Sequence, residues 1–97
     1  MACRTRDVVL GSLQRKGFSM KEGGDHFRFV FISQQGKKTS VYTKVSRGTK
    51  YKVISDNLLA QMAYQCKLAK TEFLDLIDCP LSKEEYIGKL RAHGIDV

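Results

Sequence analysis

The strictest pattern in the chain is the run His26-Phe27-Arg28-Phe29-Val30-Phe31-Ile32, in which every second residue from Phe27 to Phe31 is a phenylalanine. Successive side chains of a strand point to opposite faces. Phe27, Phe29 and Phe31 therefore share one face, and His26, Arg28, Val30 and Ile32 share the other. The phenylalanine face is the core face. His26 and Arg28 then point together to the open side, an acid/base group beside a permanent cation. The glycine pair Gly23-Gly24 just before the run admits two readings, a turn or a close approach of a ligand to the backbone. A phosphate suits such a set.

A second alternating run follows the turn Gln34-Gln35-Gly36-Lys37: Thr39, Val41, Thr43 and Val45 alternate with Ser40, Tyr42 and Lys44, so the two runs read as a hairpin. Only a pairing whose residue numbers sum to an even number lays the phenylalanines against Thr39, Val41, Thr43 and Val45. That register also brings Tyr42 and Lys44 onto the open face with His26 and Arg28.

The flanking segments read as cover for this sheet. Thr5 is placed to cap a first helix carrying Val9, Leu10 and Leu13, ended by Gly17, and Phe18 to Lys21 is a short extended piece. Ser46 to Lys52 is a basic loop with a small strand or turn at Tyr51 to Ile54. Ser55 or Asp56 caps a second helix with an apolar stripe of Leu58, Leu59, Met62, Ala63 and Cys66. Lys70 to Ile77 reads as a third helix, stopped by Cys79-Pro80, and Ser82-Lys83-Glu84-Glu85 as a capping box opening a last one, with Tyr86, Ile87 and Leu90 inward. The expected class is α+β: an antiparallel three-stranded sheet with helices on one face. Residues 1–97 form one domain, in which 81–97 are a C-terminal helical extension suited to a partner or to self-association.

Charge is divided unevenly. Residues 1–55 hold 12 Lys/Arg against 3 Asp/Glu, whereas residues 56–97 hold 5 against 7, so the net charge of +7 comes entirely from the half that contains His26. A field of that sign attracts polyanions, nucleic acid first and an acidic protein second. Lys37, Lys38, Arg47, Lys50 and Lys52 are candidate contacts to a nucleic-acid backbone. Cys3, Cys66 and Cys79 are odd in number, widely spaced and without a nearby histidine, which points away from a disulfide framework or a metal site and toward a reduced, cytoplasmic chain with no cofactor. No segment approaches the ~18 apolar residues of a spanning helix, so no membrane role is expected.

The order of these features resembles a known family. Leu13-x-x-x-Gly17-Phe18, then Gly24-Asp25-His26-Phe27 opening a strand, a Gly36 turn, a second strand, a basic connection and Leu58-Leu59-Ala60-Gln61-Met62 leading to Thr71-Glu72-Phe73 together resemble the HicA (YcfA-like) family of toxin-antitoxin ribonucleases. The resemblance covers about residues 5 to 77. It implies a fold like the double-stranded-RNA-binding domain (α-β-β-β-α), cleavage of messenger RNA through a histidine in a Gly-Ser-His motif, and neutralisation by a HicB-like antitoxin. Two departures stand in this chain: Asp25 replaces the serine of the motif, and Thr43 to Ser46 occupy the place of a Pro-x-His in the next strand.

On that reading His26 is the catalytic residue, with Gly24, Asp25, Arg28, Tyr42 and Lys44 around the substrate. RNA is cleaved without metal when its 2′-hydroxyl attacks the adjacent phosphorus. The attack needs a base, an acid for the leaving oxygen and cations for the developing charge. His26 serves as base or acid, Arg28 and Lys44 stabilise charge, and Tyr42 stacks a base or supplies a proton. Two other readings remain open at this point: an RNA-binding module without catalysis, and an interaction protein whose basic face meets an acidic partner.

Overall fold

The structure, a computed structural model, describes residues 3–48, 52–78 and 80–97. In chain order the elements are β1 (Arg4–Thr5), α1 (Arg6–Arg15), β2 (Phe18–Gly23), β3 (His26–Ile32), β4 (Lys38–Ser46), β5 (Val53–Ile54), α2 (Asp56–Gln65), α3 (Lys70–Asp78) and α4 (Lys83–Ala92). β2, β3 and β4 form an antiparallel sheet in that order, and β1 pairs with β5 in a separate two-stranded ribbon.

The even register is the one adopted: Phe27 faces Val45, Phe29 faces Thr43, and Arg28 faces Lys44. Between Val30 and Ile32 the pairing shifts, so that Ile32 meets Lys38. At this bulge the Thr39 hydroxyl donates to the Phe31 carbonyl at 2.8 Å. Phe29, Phe31, Val41 and Thr43 are fully buried on the helix-covered face. Thr43 keeps its hydroxyl satisfied there by donating to Gln65 Oε1 of α2 at 2.6 Å.

Two local expectations are corrected. The short extended piece runs on through Gly23, because Gly23 pairs directly with His26 and leaves only Gly24-Asp25 as the loop. Gly24 has φ +56°, and a two-residue hairpin needs a positive φ at its first position, which glycine adopts without strain. Thr5 sits at the N-cap of α1 without a capping bond from its side chain. Its ribbon strand is anchored instead by the Arg6 amide, which donates to the Lys52 carbonyl at 2.7 Å. The strand expected within Tyr51 to Ile54 is Val53–Ile54, Tyr51 lying outside the described residues. Ser55 caps α2 through the Leu58 amide as expected.

α4 is part of the core, and its inward stripe is the expected one. Tyr86 is fully buried, its ring 5.3 Å from that of Phe31 and 5.9 Å from that of Phe18, and its hydroxyl donates to the Cys66 carbonyl at 2.8 Å. Ile87 and Leu90 are buried with it. The apolar stripe of this helix is thus covered within the fold. Polar ties run the same way. The buried Lys16 ammonium donates to the Leu81 carbonyl, Lys89 pairs with Glu72 of α3 at 2.6 Å, and Arg91 donates to Gln34 of the β3–β4 turn at 3.0 Å. The capping box at Ser82 and Glu85 is present in both directions. Gly17 allows the whole assembly to close: its φ is +102°, and a Cβ there would lie 3.0 Å from Phe31 Cε1 and 2.9 Å from Lys83 Cε.

Cys66 is buried and its thiol is pushed up to about 12 by the loss of water around it. Burial likewise raises the Tyr86 phenol. Neither ionises at neutral pH, so both act as packing groups.

Tyr86→Ala is expected to lower stability by about 3–5 kcal/mol and Tyr86→Phe by about 1–2 kcal/mol in urea unfolding, the smaller loss reflecting one buried carbonyl left unpaired. Lys89 holds the Glu72 carboxyl below its usual range, Arg4 does so for Asp78, and the Ser82 amide for Glu85. Depressed folded values mean stability that is fully present above the ordinary carboxyl values, 4.5 for Glu and 3.8 for Asp, and lost as pH falls below them. Thermal melts of Asp78→Asn are expected to fall less steeply than wild type between about pH 5 and pH 2, by a small margin because the pair is solvent-exposed.

Candidate functional site

With the register fixed, the open face can be read row by row across the sheet. Lys21, Arg28 and Lys44 are direct partners on β2, β3 and β4, all three exposed. Strands lie about 4.8 Å apart, so three cations stand abreast within about 10 Å. Among the described residues none of the three has an ion-pair partner. Like charges directly opposite one another destabilise a sheet. The fold therefore carries a repulsive row that an anionic ligand would relieve.

On either side of that row lie the other elements of the site. Toward the β2–β3 turn is the row Gly23, His26, Ser46; toward the other end is Ser19, Val30, Tyr42. His26 is half-buried, and Tyr42 is 53% exposed. His26, Lys44 and Ser46 line one side of a cleft of about 200 Å³ at the free edge of β4. Gln61, Gln65, Leu58 and Met62 of α2 and the β5 residues Val53 and Ile54 line the rest. This is smaller than the roughly 300–1,000 Å³ of sites for complete small molecules, and its mixture of apolar wall and a few polar groups suits one flat ring system. Leu58 and Val53 remain 42% and 55% exposed at its mouth.

Two arginines shape this end of the sheet. Phe27, the residue after His26, meets both, with the Arg6 guanidinium carbon 5.8 Å and that of Arg47 5.6 Å from its ring centre. Arg6 Nη1 donates to the carbonyls of Ser46 and Gly48, both at 2.9 Å, while its Nε is buried without a partner among the described residues. Arg47 reaches back across the hairpin: its amide donates to the Asp25 carbonyl at 2.8 Å, its Nη1 to the Gly24 carbonyl at 3.1 Å, and its Nη2 lies 3.6 Å from Glu22.

The residues expected at a site thus divide into groups. His26, Arg28, Tyr42 and Lys44 share one face, as their parity requires. Gly24 and Asp25 form the turn beside them; the backbone around Gly23 and Gly24 is open to solvent, with nothing within 4 Å of a Cβ at either position. Arg47 is engaged with the hairpin turn. Lys37 and Lys38 are exposed at the opposite end of the sheet, where the Lys37 carbonyl closes the turn with the Ser33 amide. Lys52 is exposed and its carbonyl holds Arg6, while Lys50 lies outside the described residues.

Lys21 and Arg6 were not singled out from the sequence. Lys21 was legible in principle: a two-residue loop at Gly24-Asp25 puts it opposite Arg28 by counting alone. Arg6 was not, because it reaches residues 40 and 42 positions away through a side chain. His93 is the C-cap of α4 and lies in a different concavity, with Tyr64, Lys67 and Glu72. Among the described residues no three His, Cys, Asp or Glu side chains are grouped to hold a metal ion, and no helix is long and apolar enough to cross a membrane.

Comparison of the chain with protein-family models, with curated proteins and with solved structures finds no match.

Replacing one member of the cation row tests its electrostatic strain. Arg28→Gln is expected to raise stability by about 0.2–1 kcal/mol at low salt, with the gain shrinking as salt is added, read by urea unfolding at two ionic strengths. A loss of stability on removing that charge would show that the row is compensated within the fold.

Proposed function

We propose that this chain is an endoribonuclease of the HicA-like kind, binding RNA on the open face of the sheet and cleaving it at His26 without a metal ion. The observation that supports it best is the uncompensated row Lys21, Arg28, Lys44 immediately beside His26. A phosphodiester over that row lies within reach of an imidazole and of three cations. The 2′-oxygen then attacks phosphorus, its proton passing to His26. The bond from phosphorus to the 5′-oxygen breaks, and that oxygen takes a proton from the imidazolium or from water. The products are a 2′,3′-cyclic phosphate and a 5′-hydroxyl. Arg28 and Lys44 stabilise the charge on the equatorial oxygens as it develops. The turn that carries Gly24 and Asp25, pinned by Arg47, fixes where His26 leaves the hairpin. An acidic antitoxin of the HicB-like kind would neutralise the protein by covering the same basic face.

A second reading, RNA binding without cleavage, is favoured by one feature. The described residues lining the cleft with His26 include no second imidazole and no carboxylate. One ring must then take and return the proton, or water must supply one of the two transfers.

Turnover of single-stranded RNA in the presence of EDTA separates the readings. The wild type is expected to cleave RNA, leaving cyclic-phosphate ends and sparing an all-deoxy strand. His26→Ala is expected to cleave about 10²–10⁴-fold more slowly. Equal rates for the two proteins would remove His26 from the mechanism, and salt-sensitive binding with no cleavage by either would select the second reading.

A further inference from the structure

The open face has a direction as well as a charge. β4 is the longest strand, nine residues, and it presents Lys38, Ser40, Tyr42, Lys44 and Ser46 to the open side in sequence. Residues two apart on a strand are about 6.6 Å apart, close to one nucleotide step of an extended sugar-phosphate backbone. Cations therefore stand at two points on the line, Lys44 and Lys38, about 20 Å apart, with the Tyr42 ring between them.

We propose that this line is the track of an extended single strand of nucleic acid, running along β4 from the His26 cleft to the Lys38 end of the sheet. The inference rests on the nucleic-acid reading above, with its single-stranded RNA, and adds to it the path and the length of strand held.

The ring of Tyr42 carries the argument for a single strand. It is 53% exposed, it lies opposite Val30, and among the described residues it has no hydrogen bond and no ring partner. An unstacked base gains a platform on such a ring. In a duplex the bases are already stacked inside the helix, and the ring would meet only sugar and phosphate.

The two ends of the track differ in kind, which argues for a strand lying along it. The cleft at His26 is walled largely by apolar residues and accepts a base. The far end opens into a more polar concavity of about 460 Å³ lined by Ser33, Lys37, Lys38 and Ser40, with Gly94 to Asp96 of the C-terminal segment closing it. Two ammonium groups there suit the sugar-phosphate backbone, although the Asp96 carboxylate narrows the place where a phosphate can sit. From Ser46 to Lys38 the track is about 26 Å long, or four to five nucleotides.

The test is a binding titration with His26→Ala protein, which holds a strand without cutting it. The probes are labelled oligouridine and oligothymidine of two to ten nucleotides and a twelve-base-pair RNA duplex, all at one salt concentration. Affinity is expected to rise with length to about five nucleotides and then flatten. RNA and DNA single strands should bind within a few-fold of each other, and the duplex at least about tenfold more weakly. Adding Tyr42→Ala should weaken single-strand binding about tenfold without changing duplex affinity, and Lys38→Ala should weaken strands of five or more nucleotides but not those of two. Equal affinity for the duplex, or single-strand binding untouched by Tyr42→Ala, would overturn the track while leaving the nucleic-acid reading in place. No binding of any probe would overturn both. Thermal melts of each variant confirm that a lost affinity is not a lost fold.

Discussion

The register between β3 and β4 is the constraint on which the rest of this molecule depends. With Phe27 against Val45 and Phe29 against Thr43, the phenylalanines, Val41 and Val45 fall on the helix-covered side, and Arg28, Lys38 and Lys44 fall on the other with Val30, Ile32 and Tyr42. A slip of one residue would turn one strand over relative to the other. It would put either Arg28 or Lys44 under the helices and either the phenylalanines or Val41, Thr43 and Val45 in water, so no partial compromise exists. The hydrophobic face selects the register, and the register assembles the site. Arg28, Lys44 and Tyr42 share a surface because the phenylalanines between them must be buried.

Part of the cover over that face comes from α4, beyond residue 77. Tyr86 fills the space beside Phe18 and Phe31, and Lys16 and Cys66 hold its helix through their contacts to the Leu81 carbonyl and the Tyr86 hydroxyl. Residues 81–97 are therefore structural. Their far end, Gly94 to Asp96, also borders the concavity beside Lys38. The same segment contributes both to the core and to the rim of the candidate nucleic-acid face. The physical reason lies in domain size: a chain of 97 residues has little apolar surface to spare, and an amphipathic helix left unpacked would forgo burial that the sheet needs.

Electrostatics and packing meet at Phe27. Its ring meets both Arg6 and Arg47, whose guanidinium groups also bind the carbonyls of Gly24, Ser46 and Gly48. These two arginines, part of the basic half of the chain, serve the hairpin turn and the start of the basic loop. The row Lys21, Arg28, Lys44 has no such engagement. Within one basic half, then, some cations are structural members and others face solvent with no acidic partner among the described residues. Net charge alone does not distinguish them.

Much of the architecture was legible by counting. Alternation gave β3, β4 and their parity, the capping box gave the start of α4, and Cys79-Pro80 marked the end of α3, because these signals lie within a few residues of what they control. The full length of β2 was also within reach, had Gly23 been paired with His26 from the outset. The depth of Tyr86, the grip of Arg6 on residues 46 to 48, the buried position of Lys16 and the cleft between β4 and α2 were decided only when distant segments met. No local pattern in a sequence encodes where a long side chain finds a carbonyl forty residues away. The sequence by itself determined which face of the hairpin is apolar and which is cationic; tertiary packing decided which cations remain free on it, since that depends on the acids and carbonyls the fold brings within their reach.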